Sequence, residues 1–300
     1  MVAQGETVLG DAAAQVVDQE VVEDLAAMQV RQSQNIMPWQ ALCVFDLADK
    51  YGADVRFDAV NSMEGAYAKD KSAILIPTHR PFGRKAFTAA HEFAHHYFGH
   101  GFHIDQLMEF AEQKFCPEDF LADCFAGFLL MPKLAVQKGF ASRGWSITEC
   151  TPEQVFVVAG WLGVGYDTLV KHMRYSLRSM PPEQATLLLK ATPKLIRASL
   201  LGREIAEDVF VVDTAWVDRA VDLQVGDHLI APVGSAWEED CIEPAGDTNG
   251  GPVFKAARPG IGRLISKDHQ WAAYVRVARR AFEGWNTYRY LEESDDDQGQ

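Results

Sequence analysis

His91-Glu92-Phe93-Ala94-His95 places two imidazoles and a carboxylate within five residues, a set suited to metal-assisted hydrolysis if the segment is helical. Residues four apart share a helix face with Cβ atoms about 5 to 6 Å apart, so His91 and His95 can reach one ion at roughly 2.0 to 2.1 Å. Glu92 falls about 100° round the helix from His91. There its carboxylate stays outside the ligand set but beside the water that such an ion activates, which is the position of a general base. Phe87, Ala90, Ala94 and Phe98 recur at helical spacing on the stripe that carries both histidines, so both rings are expected to point inward.

A catalytic zinc needs a third protein ligand and keeps its fourth position for water. A third histidine at the offsets of the extended motif is ruled out, because those offsets fall on Phe98 and Gly101. The segment Cys116 to Pro132 reads instead as a second, buried helix, with Pro117 suited to its first turn and Pro132 to its end. Asp119 and Asp123 share a face with Ala122, Ala126, Gly127 and Leu130, small residues that permit a close approach to the histidine helix. Asp119 is read as the third ligand, with Glu118 as the alternative, and Asp123 as a carboxylate orienting a ligand histidine through its other ring nitrogen. An acidic residue at a helix N-terminus is also favoured by the helix dipole, which is the ordinary explanation for Glu118 and Asp119. Asp123 lies a turn further in.

Phe87-Thr88-Ala89-Ala90-His91-Glu92-Phe93-Ala94-His95-His96, followed by Ala122-Asp123-Cys124-Phe125-Ala126-Gly127-Phe128-Leu129-Leu130-Met131-Pro132, resembles the ImmA/IrrE family of zinc metallo-endopeptidases. The resemblance runs from about residue 38 to about residue 180. It implies that His91 and His95 bind Zn2+ and that Glu92 is catalytic. The family usually has Glu at the position of Asp119, so the carboxylate here is one methylene shorter. The resemblance also implies that residues 151–178 form a helix-turn-helix-like pair closing the core. Understood members cut, or promote removal of, helix-turn-helix repressors, releasing stress-response or mobile-element genes.

A chain of 300 residues, 48% of them hydrophobic, is long enough for a buried core and for two domains, or one with a large extension. Nothing in it approaches the length of a membrane helix. The start, Met1-Val2-Ala3-Gln4-Gly5-Glu6, lacks the basic and apolar parts of a signal peptide. Five scattered cysteines without metal-knuckle spacing fit a reducing compartment, so a soluble cytoplasmic protein is expected. A net charge of −14 makes nucleic acid an unfavourable main ligand. Lys171, His172, Arg174 and Arg178 are accordingly read as a solvated helix face.

The expected class is α+β, a zincin-like core of small sheet and active-site helices with a β-rich C-terminal domain. Residues 1–35 are read as a helical arm or mobile segment patterned on Val21, Leu25 and Met28, and residues 36–180 as the peptidase core. Within the core, Pro38 to Tyr51 reads as an amphipathic helix and Ala53 to Phe57 as a strand. Ala66-Tyr67-Ala68 and Ala73-Ile74-Leu75-Ile76 read as a hairpin about Lys69-Asp70-Lys71-Ser72. Residues 181–205 form a helical connector, 206–290 the β-rich sensor or recognition domain, and 291–300 an acidic disordered tail. Trp271 to Trp285 is ambiguous between helix and strand.

His96 lies four residues from Glu92; a half-exposed ring is expected, with a hydrogen bond to Glu92 as the alternative. His100 and His103 read as ordinary loop histidines. Tyr166, His172 and Arg174 are the candidates for stabilising an oxyanion, without a choice among them. The expected function is a zinc endopeptidase acting on one intracellular protein, most naturally a DNA-binding repressor. The alternative is a zinc-stabilised, non-catalytic anti-repressor.

Overall fold

The computed structural model describes residues 24–60, 62–101, 103–106, 116–217 and 219–291. The tail expected over 291–300 and most of the N-terminal arm, Val21 included, lie outside them except at the margins. Helix α1 covers residues 24–33, and its buried face is Ala27, Val30 and Arg31 rather than Leu25 and Met28. Arg31 explains the difference. Its Nη1 donates to Leu129 O at 2.6 Å and its Nη2 to Met37 O at 3.0 Å and to Gln40 O, so the guanidinium sets which face turns inward. The same bonds hold residues 37–40 in a turn, and the helix expected from Pro38 is only α2, Val44–Lys50.

The first sheet contains β1 (Asp54–Asp58), β2 (Met63–Ala68), β3 (Ala73–Pro77) and β4 (His103–Gln106). β2 and β3 form the expected antiparallel hairpin about a 3-10 turn, Lys69–Lys71, with Ser72 left-handed at φ +48°. β1 is parallel to β3, and β4 is antiparallel to β2. The histidine helix, α3 (Phe82–Phe98), lies against β2 and β3, and Ala86, Ala89, Ala90, Phe93 and Ala94 on it are buried. Its neighbour α4, Pro117–Leu130, starts with proline in its first turn as the sequence requires. Phe125 of α4 packs between Phe93, Tyr97 and Phe98 of α3, with ring centroids 5.4 to 6.1 Å away.

Helices α5 (Lys133–Ala141), α6 (Pro152–Leu162) and α7 (Tyr166–Lys171) follow. Thr151 and Gln154 form a capping box at the start of α6. The helical stretch expected after Pro182 is two helices, α8 (Pro182–Leu188) and α9 (Pro193–Leu201), broken by Pro193.

Eight strands come next: β5 (Val209–Val211), β6 (Val221–Gln224), β7 (His228–Ile230), β8 (Ser235–Glu238), β9 (Ile242–Thr248), β10 (Gly251–Ala256), β11 (Gly260–Ser266) and β12 (Ala272–Ala278). They form two four-stranded sheets, ordered β5-β7-β10-β9 and β6-β12-β11-β8. The ambiguous stretch after Trp271 resolves as strand. β12 alternates with Ala273, Val275 and Val277 buried. A two-residue strand, β13 (Gly284–Trp285), returns to the first sheet and pairs antiparallel with β1, giving the order β13-β1-β3-β2-β4. The architecture is thus α+β, with helices over several small sheets. Among the described residues, no helix is long and apolar enough to cross a membrane.

A buried polar cluster fastens the chain's end to its beginning. Asp222 of β6 accepts from Arg276 Nε at 2.7 Å and Nη2 at 3.0 Å, from Arg289 Nη2 at 3.3 Å, and from the Tyr290 hydroxyl. Arg276 also donates to Asp46 of α2 at 2.8 Å, and Asn286 Nδ2 donates to Asp49 at 2.7 Å. Burial would raise the Asp222 carboxyl, but the Arg289 and Arg276 guanidiniums more than offset it and hold the group at about 2.

Candidate metal site

α3 and α4 bring together His91, His95 and Asp119, whose ligand atoms all lie within 4.8 Å of one another. His91 Nε2 and His95 Nε2 are 3.1 Å apart, and Asp119 Oδ1 is 3.7 Å from His95 Nε2. Ligand atoms of a tetrahedral ion with bonds near 2.05 Å stand about 3.3 Å apart, so this donor set has the spacing and the chemistry for such an ion. Glu118 is exposed and outside the group.

The other ring nitrogens have their own partners. His91 Nδ1 is 2.9 Å from Asp123 Oδ1, so Nδ1–H donates to the carboxylate and Nε2 is the nitrogen turned toward His95. His95 Nδ1 is 2.8 Å from His100 Nδ1. Sequence reasoning missed that contact, although the signal was there. Gly99 follows α3 in the left-handed region at φ +70°, and His100 N–H donates back to His95 O at 3.0 Å. This glycine-dependent helix ending folds the next residue over the last turn. The side chain of His103 is not among those described.

Glu92 is 0% exposed and lies against β2 at Gly65. A Cβ at residue 65 would stand 2.6 Å from Glu92 Oε1 and 2.5 Å from Thr88 Cγ2, so only glycine leaves room for this carboxylate as placed. No spacing rule marks Gly65 in the sequence. His96 is partly buried and turns away from Glu92. Its Nδ1 accepts from the Tyr67 hydroxyl at 3.0 Å, and its Nε2–H donates to Tyr51 O at 3.2 Å.

The three oxyanion candidates have other engagements. The buried Tyr166 hydroxyl donates to Leu188 O at 2.8 Å. His172 is buried, not solvated, and its Nε2 donates to Met131 O at 3.0 Å; burial lowers its pKa to about 4. Gly127 makes room for this ring rather than for α3, since a Cβ there would lie 3.0 Å from His172 Nδ1. Arg174 lies over the Tyr175 ring at 5.5 Å.

Two imidazoles and a carboxylate converging from paired helices beside a small sheet define a candidate metal-binding domain of α+β type. Residues 45–170 match the family model described as IrrE N-terminal-like domain, Peptidase M78, and this match suggests a metallopeptidase. Among solved structures, a Mycobacterium tuberculosis transcriptional regulator is similar at 16% identity and a TM-score of 0.37, over 54% of this chain and 48% of that one. The match therefore spans about half the length of that protein. No curated protein sequence matches the chain significantly.

Proposed function

We propose that the protein is a zinc-dependent endopeptidase acting in the cytoplasm on one specific protein, a DNA-binding helix-turn-helix repressor of stress-response or mobile-element genes. The convergence of His91 and His95 of α3 with Asp119 of α4 around a common point, with Glu92 buried on α3, is the observation that supports this reading most. His91, His95 and Asp119 would hold the ion, which when bound polarises a scissile carbonyl and makes a water acidic enough to attack near neutral pH. Glu92 accepts the proton of the attacking water and delivers it to the leaving amine. Asp123 and His100 orient the two ligand rings. Among the described residues β4 pairs on one side only, and its outer edge suits a substrate backbone added as a strand. In this reading residues 36–180 are a zincin-like core, in which α6 and α7 are the helix-turn-helix-like pair, and residues 206–290 serve recognition or sensing.

Asp123→Asn is expected to weaken zinc binding by about 10–100-fold, because the amide no longer enforces the Nδ1–H tautomer of His91. Competition with a chromogenic chelator measures this. Unchanged affinity would detach Asp123 from the site.

The overall reading is tested by comparing new protein N-termini in host cells expressing wild type or Glu92→Gln at matched levels. Ends confined to wild type, falling in a repressor, are expected; their absence in stressed and unstressed cells would refute proteolysis. The second reading, a non-cutting zinc-stabilised anti-repressor, is favoured by the shorter carboxylate of Asp119. It requires that wild type and Glu92→Gln relieve repression equally.

A further inference from the structure

Arg84, Thr88 and Glu92 recur every four residues along α3 and so share one face, which meets β2 at Glu64 and Gly65. In a regular strand, consecutive side chains point to opposite faces. β2 departs from this rule here. The Glu64 carboxylate reaches Arg84 Nη2 at 2.6 Å, and the direction in which Gly65 lacks a Cβ runs into Thr88 and Glu92. Two successive residues of the strand therefore meet the same helix. Pairing with β4 gives the cause: Met63 is opposite Gln106 and Gly65 is opposite Asp105, so β2 takes two steps where β4 takes one. Glu64 is the extra residue of a β-bulge, a device by which strands re-aim side chains beside a site.

The bulge is held from several sides. Glu64 also pairs with Arg80, just ahead of α3, at 3.3 Å. β2 is an inner strand, with Ala66 opposite Leu75 of β3 on one side and Ile104 of β4 on the other, so its backbone cannot withdraw from α3 without breaking a ladder. A Cβ on residue 65 would stand 2.5 Å from Thr88 Cγ2, 2.6 Å from Glu92 Oε1 and 3.1 Å from Glu92 Cγ. Thr88 is β-branched and stiff about χ1. The Glu92 carboxylate sits at the end of a flexible stem, so it is the group that gives way, from 2.6 Å to the 3.4 Å at which ordinary contact begins.

We propose that Gly65 is a positioning residue for Glu92: the bulge, tied by Glu64 to Arg80 and Arg84, sets a bare peptide against the Glu92 carboxylate and fixes where that carboxylate stands beside His91 and His95. Gly65 acts through Glu92 and takes no part in the chemistry itself. Its pairing with Asp105 adds a second consequence, because β4 is the strand whose outer edge suits a substrate backbone. One backbone position thus refers both the base and the substrate strand to the same point. A misplacement of about 1 Å can cost roughly 10²-fold in rate, so a device of this kind has a measurable effect. The catalytic role rests on the proposed peptide hydrolysis, whereas the placement of the carboxylate does not.

Gly65→Ala, made in the full chain and compared with wild type by crystallography, zinc titration and steady-state cleavage of the substrate found from new N-termini, tests the proposal. Glu92 Oε1 is expected to shift by about 1 Å while His91 and His95 stay in place and zinc affinity keeps its wild-type value. kcat should fall by roughly 10²-fold with KM unchanged, the mark of an interaction made in the transition state alone. A merely structural glycine would lower the Tm and leave kcat per folded, zinc-loaded molecule as it was. Should Gly65→Ala fail to fold, the same substitution in a Thr88→Ala background, measured against Thr88→Ala alone, removes the stiff contact and keeps the one with Glu92. A Glu92 carboxylate at its wild-type position in the variant overturns the proposal, and so does a kcat within about threefold of wild type. If wild type itself cuts nothing, the hydrolytic reading falls, and the crystal comparison still decides whether Gly65 places the carboxylate.

Discussion

Glu92→Gln is expected to lower the rate of peptide-bond cleavage by about 10²–10⁴-fold, the usual contribution of a general base, while bound metal and thermal stability stay at wild-type values. The substitution is nearly isosteric, so it opens no cavity at a position that is 0% exposed. It also leaves His91, His95 and Asp119, the group that could hold a metal ion, untouched. What it removes is the ability to accept a proton, because an amide at neutral pH holds none of the basicity of a carboxylate. Single-turnover cleavage of the substrate identified from new N-termini, with metal content measured on the same samples, separates these effects. Cleavage within about tenfold of wild type would sink Glu92 as the base. Loss of metal together with activity would instead make its role structural, consistent with its tight packing against Gly65.

The parts of this site that could be read from the sequence are those set by short-range periodicity. α3 and α4 are legible because His91 and His95, or Asp119 and Asp123, fall on one face by helix geometry alone, and proline marks the start of α4. The hairpin of β2 and β3 is legible from alternation about a turn of Lys, Asp and Ser. What escaped depends on partners far away in the chain. Arg31 reaches Leu129, which decides the inward face of α1, and its bonds to Met37 and Gln40 cut short the helix expected at Pro38. β13 is two residues long, too short to carry a period, and it is held by pairing with β1 some 230 residues earlier. Lys85 occupies a polar-looking position at the start of α3, yet the C-terminal segment covers it. Such burial follows from tertiary packing, which no local window contains.

Asp222→Asn is expected to destabilise the fold by about 3–5 kcal/mol near neutral pH, because it removes the carboxylate around which buried cations are arranged. The Asp222 side chain is 3% exposed and the Arg289 side chain 5%, so water cannot replace the lost charge. The folded carboxyl titrates at about 2 against 3.8 for the unfolded chain, so its contribution is complete above the unfolded value and is lost as pH falls through the folded one. The gap between wild type and Asp222→Asn, measured by urea unfolding, should therefore narrow from about pH 4 to pH 2 and stay constant above that window. A difference below about 1 kcal/mol at pH 7 would mean that the cluster relaxes or hydrates when opened. Adding Arg276→Met to an Asp222→Leu background gives the sharper contrast. If uncompensated charge causes the loss, removing the cation that chelates Asp222 should restore part of the stability that removing Asp222 took away, although the double variant has fewer polar contacts than either single one. If the double variant is instead less stable than Asp222→Leu alone, the cluster contributes through its hydrogen bonds to α2 and the C-terminal segment, and Arg276 acts through Asp46 rather than through its buried partner.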